Sequence, residues 1–139
     1  MSNCIFCKIV RGELPCEKLY EDDSVLAFMD IGPIVKGHAL VIPKAHHDPL
    51  TDVPTELLGK IMTVVQRIAR AQRDGLGADG VNIHQANGKA AGQEVWHTHF
   101  HVIPRFANDG HSWNWRAQKY EQREEMQALA GKIRGALPS

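Results

Sequence analysis

Three histidines occupy alternate positions in one short segment: His97, His99 and His101 lie within HTHFHVIPR, residues 97–105. Successive side chains of a β-strand point to opposite faces, so a strand would place these three imidazoles on one face. Imidazole can bind metals, transfer protons or attack an electrophile near neutral pH. This spacing therefore marks residues 97–105 as a candidate site of chemistry.

Three interpretations of the histidine face compete. It could be a solvated surface that happens to be rich in histidine. It could hold a catalytic zinc, although three same-face positions span about 13 Å of strand and one ion would not engage them all. It could instead carry out nucleophilic and acid–base chemistry on an anion such as a phosphoryl group, with one imidazole attacking while its neighbours hold charge and protons. The third interpretation is favoured.

Two cysteines near the N-terminus form a second candidate site. Cys4-x-x-Cys7 supplies half of a tetrahedral zinc site, which histidines would have to complete. The chain has three cysteines, and an odd number makes a poor disulfide framework. A redox role is disfavoured because no thioredoxin-like βαβ pattern accompanies the pair. Metal binding is the better interpretation.

The composition limits the class of partner. The 139 residues are expected to form one domain, residues 1–139. Lys plus Arg (16) balance Asp plus Glu (16), so no general field would attract nucleic acid or an anionic membrane. No apolar run approaches the roughly 20 residues of a membrane span, and the N-terminus lacks the apolar region of a secretory signal. We expect a cytoplasmic protein with neither nucleic acid nor membrane as a partner.

The elements that must position these residues follow from hydrophobic periodicity. Strands are predicted at residues 24–31, 38–43, 80–86 and 95–104. Apolar residues at three- and four-residue spacing predict a long amphipathic helix from Thr55, its cap, to about residue 75, and residues 116–137 are compatible with another helix. The order favours an α+β domain with a mainly antiparallel sheet.

The last predicted strand would divide its side chains between two environments. Trp96, Thr98, Phe100 and Val102 alternate with the histidines, so they are expected to face the amphipathic helix. The histidine face must then look into a cleft or into solvent.

The histidine segment resembles the signature of the histidine triad (HIT) family of nucleotidyl hydrolases and transferases. The stretches CIFCKIVRGELP, LAFMDI, GHALVIPKAHH, NGKAAGQEVWH and VIPR resemble that family in the same order, over roughly residues 4–105. Thr98 is a departure, because it is polar where the pattern usually has an apolar residue; on the core-facing side its hydroxyl could hydrogen-bond locally. The resemblance implies a HIT-like fold: a mainly antiparallel sheet, one long helix and a C-terminal helix.

The resemblance also implies catalytic roles. His99 would attack the α-phosphorus of a nucleotide and form a nucleotidyl-imidazole, with a main-chain carbonyl near the first triad histidine fixing its tautomer. His101, still partly cationic near neutral pH, would bind the phosphoryl oxygens, and His38 would complete the group.

The same resemblance implies a nucleotide pocket. Asp30 would accept hydrogen bonds from the ribose hydroxyls, and Asn87 and Gln93 would reach the phosphate beside His99 and His101. The base would lie between four apolar side chains, Phe6, Ile9, Phe28 and Ile31.

A structural zinc is implied as well. Some members of bacterial type share the cysteine pair and complete the site with two histidines, which gives Cys4, Cys7, His46 and His97 as the ligands here. Four protein ligands would close the coordination sphere. The family is typically a homodimer, so a homodimer is expected.

The implied activity is cleavage of a purine nucleoside 5′-phosphoramidate or a related nucleotidyl conjugate, with release of the nucleoside monophosphate. A dinucleoside polyphosphate hydrolase and a nucleotide-binding module without significant turnover are the alternatives. The leaving group is expected to meet the C-terminal region, around Trp113 and Trp115, where the resemblance fades.

Overall fold

A five-stranded antiparallel sheet organises the chain, for which the computed structural model describes residues 3–113 and 115–138. The strands are β1 (Lys18–Glu21), β2 (Val25–Met29), β3 (Ala39–Pro43), β4 (Gly80–His84) and β5 (Phe100–Arg105). They lie in the order β1-β2-β3-β5-β4, and every neighbouring pair is antiparallel. The helices are α1 (Ile5–Val10), α2 (Thr55–Leu76) and α3 (Arg123–Ala136). The predicted α+β class with a mainly antiparallel sheet is confirmed.

The long helix α2 covers one face of the sheet. Its buried residues Ile61, Val64, Val65 and Ile68 recur at the predicted helical spacing and pack in one core cluster with apolar residues of β2, β3 and β5. The helix begins at Thr55, but its N-cap is Pro54 and no side chain caps it. Thr55 is therefore not the cap that was predicted, because it already has helical geometry as the first residue of the helix.

The short helix α1 lies over the opposite face of the sheet. Phe6 and Ile9 of α1 are buried against Leu26, Leu40 and Ile42 of the adjacent strands. With only six residues, α1 presents too little periodicity for prediction and gains its stability from this packing. The sheet thus separates a closed core on the α2 side from a second apolar cluster under α1.

The last strand is shorter than predicted. Residues 95–99 lie outside the ladder, and β5 begins only at Phe100. Phe100 and Val102 join the core on the α2 side, but Trp96 is half exposed, so its predicted contact with the helix is wrong. Strict alternation fails there because no neighbouring strand pairs with residues 95–99.

Thr98 lies in that unpaired segment and is fully buried. Its backbone N–H donates to the carbonyl of His47 over 2.8 Å. Within residues 3–113 and 115–138, its hydroxyl has no hydrogen-bond partner. The local hydrogen bond that was expected of the Thr98 hydroxyl is therefore not made.

The remaining differences concern exposed parts of the chain. Helix α3 is shorter than residues 116–137, and none of its described residues is buried. The edge strand β1 was not predicted, since its side chains are mostly exposed and carry no apolar alternation. None of the described helices is long and apolar enough to cross a membrane. Residues 1, 2, 114 and 139 of the predicted single domain lie outside the described residues.

Candidate active site and metal site

A cavity of about 630 Å³ opens on the sheet face that α1 covers. Its apolar wall comes from α1 and strands β2 and β3, and its polar wall includes His99 and His101. The register places Phe28 opposite Leu40, Leu40 opposite His101, and His101 opposite His84. Directly opposed residues of adjacent strands share one face, so these four side chains form a row that runs from apolar to imidazole.

His99 is held in the tautomer that a nucleophile needs. Its Nδ1 lies 2.7 Å from the backbone carbonyl oxygen of His97, which can only accept, so Nδ1 carries the proton and donates it. The lone pair of neutral His99 is therefore on Nε2. Burial is the main cause that lowers the pKa of His99, and the ring of Phe6 packs edge-on at 5.1 Å. His99 is thus neutral near pH 7 and able to attack.

His38 fixes the tautomer of His101 through a chain of hydrogen bonds. The backbone N–H of Ile34 donates to Nδ1 of His38 over 3.1 Å, which leaves the His38 proton on Nε2. That Nε2 lies 2.9 Å from Nδ1 of His101 and donates to it. The proton of neutral His101 must then be on Nε2. His101 therefore offers an N–H donor where His99 offers a lone pair.

The structure does not support the positive charge that was expected of His101. Burial, followed by the nearby His99 and His38, lowers the pKa of His101 to about 4. His101 is consequently neutral near pH 7 rather than partly cationic. Its capacity to stabilise a phosphoryl oxygen comes from the Nε2–H fixed by His38.

Asp30 lies at the end of β2, on the cavity wall beside these imidazoles. Its Oδ1 accepts a hydrogen bond from the backbone N–H of Gly32 over 2.8 Å. Its Oδ2 is 3.6 Å from Nε2 of His38, beyond hydrogen-bond distance. Burial lowers the pKa of His38, and the nearby Asp30 carboxylate opposes that shift in part. Asp30 is thus close to the histidines, with acceptor capacity facing the cavity.

The four residues expected to hold the base all line the cavity. Phe6 and Phe28 are buried and meet edge to face, with ring centroids 5.7 Å apart. Ile9 is buried beside them, whereas Ile31 is 98% exposed and lies at the rim. Three of the four therefore form one apolar wall, and Ile31 stands apart from it.

The two loop amides that were expected to reach the phosphate differ in their positions. Gln93 lines the cavity, but its amide is engaged: Nε2 donates to Asp48 and Val95, and Oε1 accepts from the N–H of Gly88. Asn87 does not line the cavity, and its Oδ1 accepts from the backbone N–H of Leu50 over 2.8 Å. The phosphate contact of Asn87 stays a prediction, and in this structure its amide oxygen links two loops.

The expected zinc ligands converge on one point. The ligand atoms of Cys4, Cys7, His46 and His97 all lie within 4.8 Å of one another. Nδ1 of His97 is 3.4 Å from Sγ of Cys4 and 3.6 Å from Sγ of Cys7, and Nδ1 of His46 is 3.4 Å from Sγ of Cys7. Tetrahedral zinc with ordinary bond lengths would separate sulfur and nitrogen ligands by about 3.6 Å. The four residues fit a zinc ion.

The protonation of His97 suits metal binding. Its Nε2 lies 2.8 Å from the carbonyl oxygen of Pro43 and donates to it, which directs the Nδ1 lone pair towards the cysteines. Burial is the main cause that lowers the pKa of His97 to about 4. The three histidines of residues 97–101 therefore lie in two sites: His97 among the cysteines, and His99 and His101 on the cavity.

His84 is a cavity residue to which the sequence analysis gave no role. It ends β4 directly opposite His101, and the two ring centroids are 5.5 Å apart. Pairing of the last two predicted strands would have placed some residue of the strand at 80–86 next to His101. Selecting His84 also requires the register of the two strands, which the sequence does not fix.

The chain resembles known proteins along most of its length. A family model described as HIT domain matches residues 11–108. A HIT-family crystal structure from Bacillus subtilis is 43% identical, covers 99% of each chain and has a TM-score of 0.92. The yeast (Saccharomyces cerevisiae) protein named adenosine 5′-monophosphoramidase HNT1 is 46% identical over 84% of this chain and 72% of its own length.

A further solved structure bears on the metal site. It is described as a Zn-bound histidine triad family protein from Mycobacterium smegmatis; it is 42% identical, covers 98% of this chain and 99% of its own, and has a TM-score of 0.74. The family match, the relatives and the convergence of the triad residues agree with one another. The chain belongs to the HIT domain family and is an enzyme of that family.

Proposed function

We propose that the chain cleaves purine nucleoside 5′-phosphoramidates or related nucleotidyl conjugates through a nucleotidyl-histidine intermediate and releases the nucleoside monophosphate. The observation that carries this proposal is the pair of fixed tautomers: Nε2 of His99 bears a lone pair, and Nε2 of His101 bears a proton. Attack on phosphorus requires the first group, and stabilisation of the phosphoryl oxygens requires the second. The name of the yeast relative supports the same substrate class.

The first step forms one bond and breaks one. The Nε2 lone pair of His99 attacks the α-phosphorus while the bond from phosphorus to the leaving nitrogen breaks, and that nitrogen takes up a proton from solvent water as it departs. The Nε2–H of His101 donates to a phosphoryl oxygen as charge develops there. The product is a phosphorus–Nε2 bond to His99.

The second step returns the enzyme to its starting state. Water attacks the phosphorus, the bond to Nε2 of His99 breaks, and the water proton is released as the monophosphate forms. Nδ1 of His99 stays bonded to the carbonyl of His97 throughout, so the ring keeps its orientation.

The remaining residues orient the nucleotide. Asp30 accepts hydrogen bonds from the ribose hydroxyls, and the wall of Phe6, Ile9 and Phe28 contacts the base. Gln93 shapes the loop beside the phosphate through its hydrogen bonds to Asp48 and Gly88. The apolar wall would contact the flat faces of a purine base.

Zinc has a structural role in this proposal. Cys4, Cys7, His46 and His97 would hold it, and four protein ligands leave no open position for water or substrate. It would fasten α1, which contributes Phe6 to the cavity, to the segment that carries His99. We also propose a cytoplasmic homodimer that has neither nucleic acid nor membrane as a partner.

The test measures AMP release from adenosine 5′-phosphoramidate by the wild type and by His99→Ala. The variant should lose at least about a thousandfold in rate, since it lacks the nucleophile. His47→Ala is the matched control, because the His47 side chain does not line the cavity. Activity of His99→Ala within tenfold of the wild type would contradict the proposal.

The same assay separates the alternatives. Diadenosine polyphosphate, run alongside, should be cleaved more slowly than the phosphoramidate; a faster rate would instead make the protein a dinucleoside polyphosphate hydrolase. Binding of AMP without release from either substrate would indicate a binding module.

A further inference from the structure

We propose that His84 determines specificity for the leaving group by binding an anionic substituent on it, and that Trp113 positions His84 for this task. The inference deepens the proposed function, on which it rests. Its starting point is the row of side chains across the sheet, in which His84 occupies the end remote from the apolar base wall.

The order of this row gives each part of a substrate a position. Phe28 and Leu40 contribute to the apolar wall, His101 follows on β5, and His84 follows on β4, the edge strand. A nucleotide whose base lies on the apolar wall and whose phosphate meets His101 has its next substituent beside His84. That substituent is the leaving group.

His84 has free hydrogen-bonding capacity. Its side chain lines the cavity and is exposed, and no group in residues 3–113 and 115–138 hydrogen-bonds to either of its ring nitrogens. By contrast, His38, His99 and His101 each have at least one ring nitrogen engaged within the protein. Among these imidazoles, His84 is the one that can direct either nitrogen to a ligand.

Trp113 fixes the plane of the His84 ring. The two rings stack with their centroids 5.8 Å apart and an angle of 22° between their planes. Nε1 of Trp113 donates to Oδ1 of Asn82 over 2.6 Å, and Nη1 of Arg105 donates to that same oxygen over 2.7 Å. Arg105 in turn pairs with Asp109. Trp113 is therefore held beside β4 by a network of hydrogen bonds and an ion pair.

In the part of the chain that the structure describes, imidazoles are the basic groups of the cavity wall, which also carries the carboxylates of Asp30 and Glu94. Within the described residues, neither lysine nor arginine lines the cavity, and the guanidinium of Arg105 is already occupied by Asp109 and Asn82. Two acidic residues in the described ranges line the cavity. Asp30 lies beside His38, and Glu94 also lines a separate depression near Asn3 and His46.

The face of Trp113 lies against the His84 ring, and an aromatic face can attract a cationic group placed over it. His84 is therefore the group at this end that can balance a negative charge. Carboxylates and phosphates are the substituents it would take.

The experiment uses two adenosine 5′-phosphoramidates of equal size, one with β-alanine as the leaving amine and one with β-alaninamide. The ratio of their kcat/KM values measures the preference for the carboxylate. His84→Leu should lower that ratio about tenfold, because a charge-assisted hydrogen bond is lost while rate on the amide is kept. His84→Arg should preserve the ratio, since the guanidinium retains charge and stacks on Trp113. His47→Leu is the matched control and should leave the ratio unchanged.

A second readout excludes a merely structural effect. Both substrates pass through the same nucleotidyl-His99 intermediate, so the rate of its hydrolysis in single-turnover assays should be unchanged in His84→Leu. Trp113→Leu should lower the ratio several-fold, whereas Trp113→Phe, which keeps an aromatic face, should lower it less.

The outcomes distinguish this inference from the proposed function. An unchanged ratio in His84→Leu, or a ratio lost equally in His84→Arg, would overturn the role of His84 while turnover of the amide substrate upholds the hydrolase. Failure of the wild type to release AMP from either substrate would overturn both.

Discussion

At the scale of single residues, backbone carbonyls and N–H groups determine which ring nitrogen of each histidine carries the proton. The carbonyls of His97 and Pro43 each fix one nitrogen of a histidine as a donor, and the N–H of Ile34 fixes one nitrogen of His38 as an acceptor. Three chemically identical side chains of the HTHFH segment thereby differ in which ring nitrogen bears the proton, and these differences suit the proposed roles of metal ligand, nucleophile and hydrogen-bond donor. The alternation of histidines in the sequence predicts none of this division, because it depends on contacts with β3 and the loop before it.

His38 should matter through His101 rather than through direct contact with phosphorus. In His38→Ala, Nδ1 of His101 loses its donor, so the His101 proton is no longer restricted to Nε2 and kcat/KM should fall about 10- to 100-fold. His38→Asn, whose amide N–H can replace the lost donor, should recover part of that loss. Nitrogen NMR of the His101 ring should show mainly Nε2–H in the wild type and a mixture in His38→Ala.

The same spectra can contradict this role of His38. If His101 keeps its Nε2–H tautomer in His38→Ala while kcat/KM still falls, His38 acts on the substrate itself and is not a positioning residue. His47→Ala serves as the control for loss of an imidazole outside the cavity.

At the scale of elements, sequence pattern and tertiary structure share the explanation. The long helix and strands β2, β3 and β4 could be predicted, since their periodicity and turn residues are local signals. Helix α1 could not, because its stability depends on packing over the sheet and on the side chains of Cys4 and Cys7.

The unpaired start of the last strand was missed for the same reason. His97 is held by the carbonyl of Pro43 and by its position among the cysteines rather than by a ladder. The hydrogen bond from the Leu50 N–H to Asn87 is likewise invisible in the sequence, because it joins residues far apart in the chain.

Zinc should stabilise the link between α1 and the triad segment. Cys4→Ser removes one thiolate, so bound zinc per chain should drop well below one equivalent and Tm should fall by several degrees. Cys16→Ser is the matched control, because Cys16 lies outside the group of converging ligands and should retain both zinc and Tm. Metal analysis of the purified proteins and a thermal melt measure the two quantities.

Loss of zinc in Cys4→Ser should also change the cavity. Phe6 packs on both His97 and His99, so loosening α1 in Cys4→Ser should raise KM for the nucleotide more than it lowers kcat. Equal zinc content in Cys4→Ser and Cys16→Ser would show that the four residues do not form the metal site.

At the scale of the whole molecule, the two faces of the sheet have different roles. Helix α2 closes one face into a core, and Gln72 joins it to the sheet by donating to the carbonyls of Gly37 and Val102. The other face bears the cavity, and each imidazole with a proposed catalytic role lies on a strand or next to one. This rigid support is what holds the donor and the nucleophile in fixed relation.

Strand β4 is an edge strand, and exposed apolar side chains lie on it and on helix α2. Ile83 lies opposite Val102 and hence on the α2 side of the sheet, yet it is 45% exposed, while Met62 and Leu76 of α2 are 43% and 52% exposed. Apolar side chains at an edge strand and an adjoining helix are suited to burial against a second copy of the chain. We therefore expect the proposed homodimer to use α2 and β4.

Light scattering during size-exclusion chromatography tests the dimer directly. At micromolar concentration the wild type should show twice the chain mass of 15.5 kDa. Ile83→Asp should shift it towards the monomer, since burial of an unpaired carboxylate in the interface is costly. Leu129→Asp, on the exposed helix α3, introduces the same charge at a comparably exposed position and should remain dimeric. A monomeric wild type would refute the dimer, and dissociation by Leu129→Asp alone would move the interface to α3.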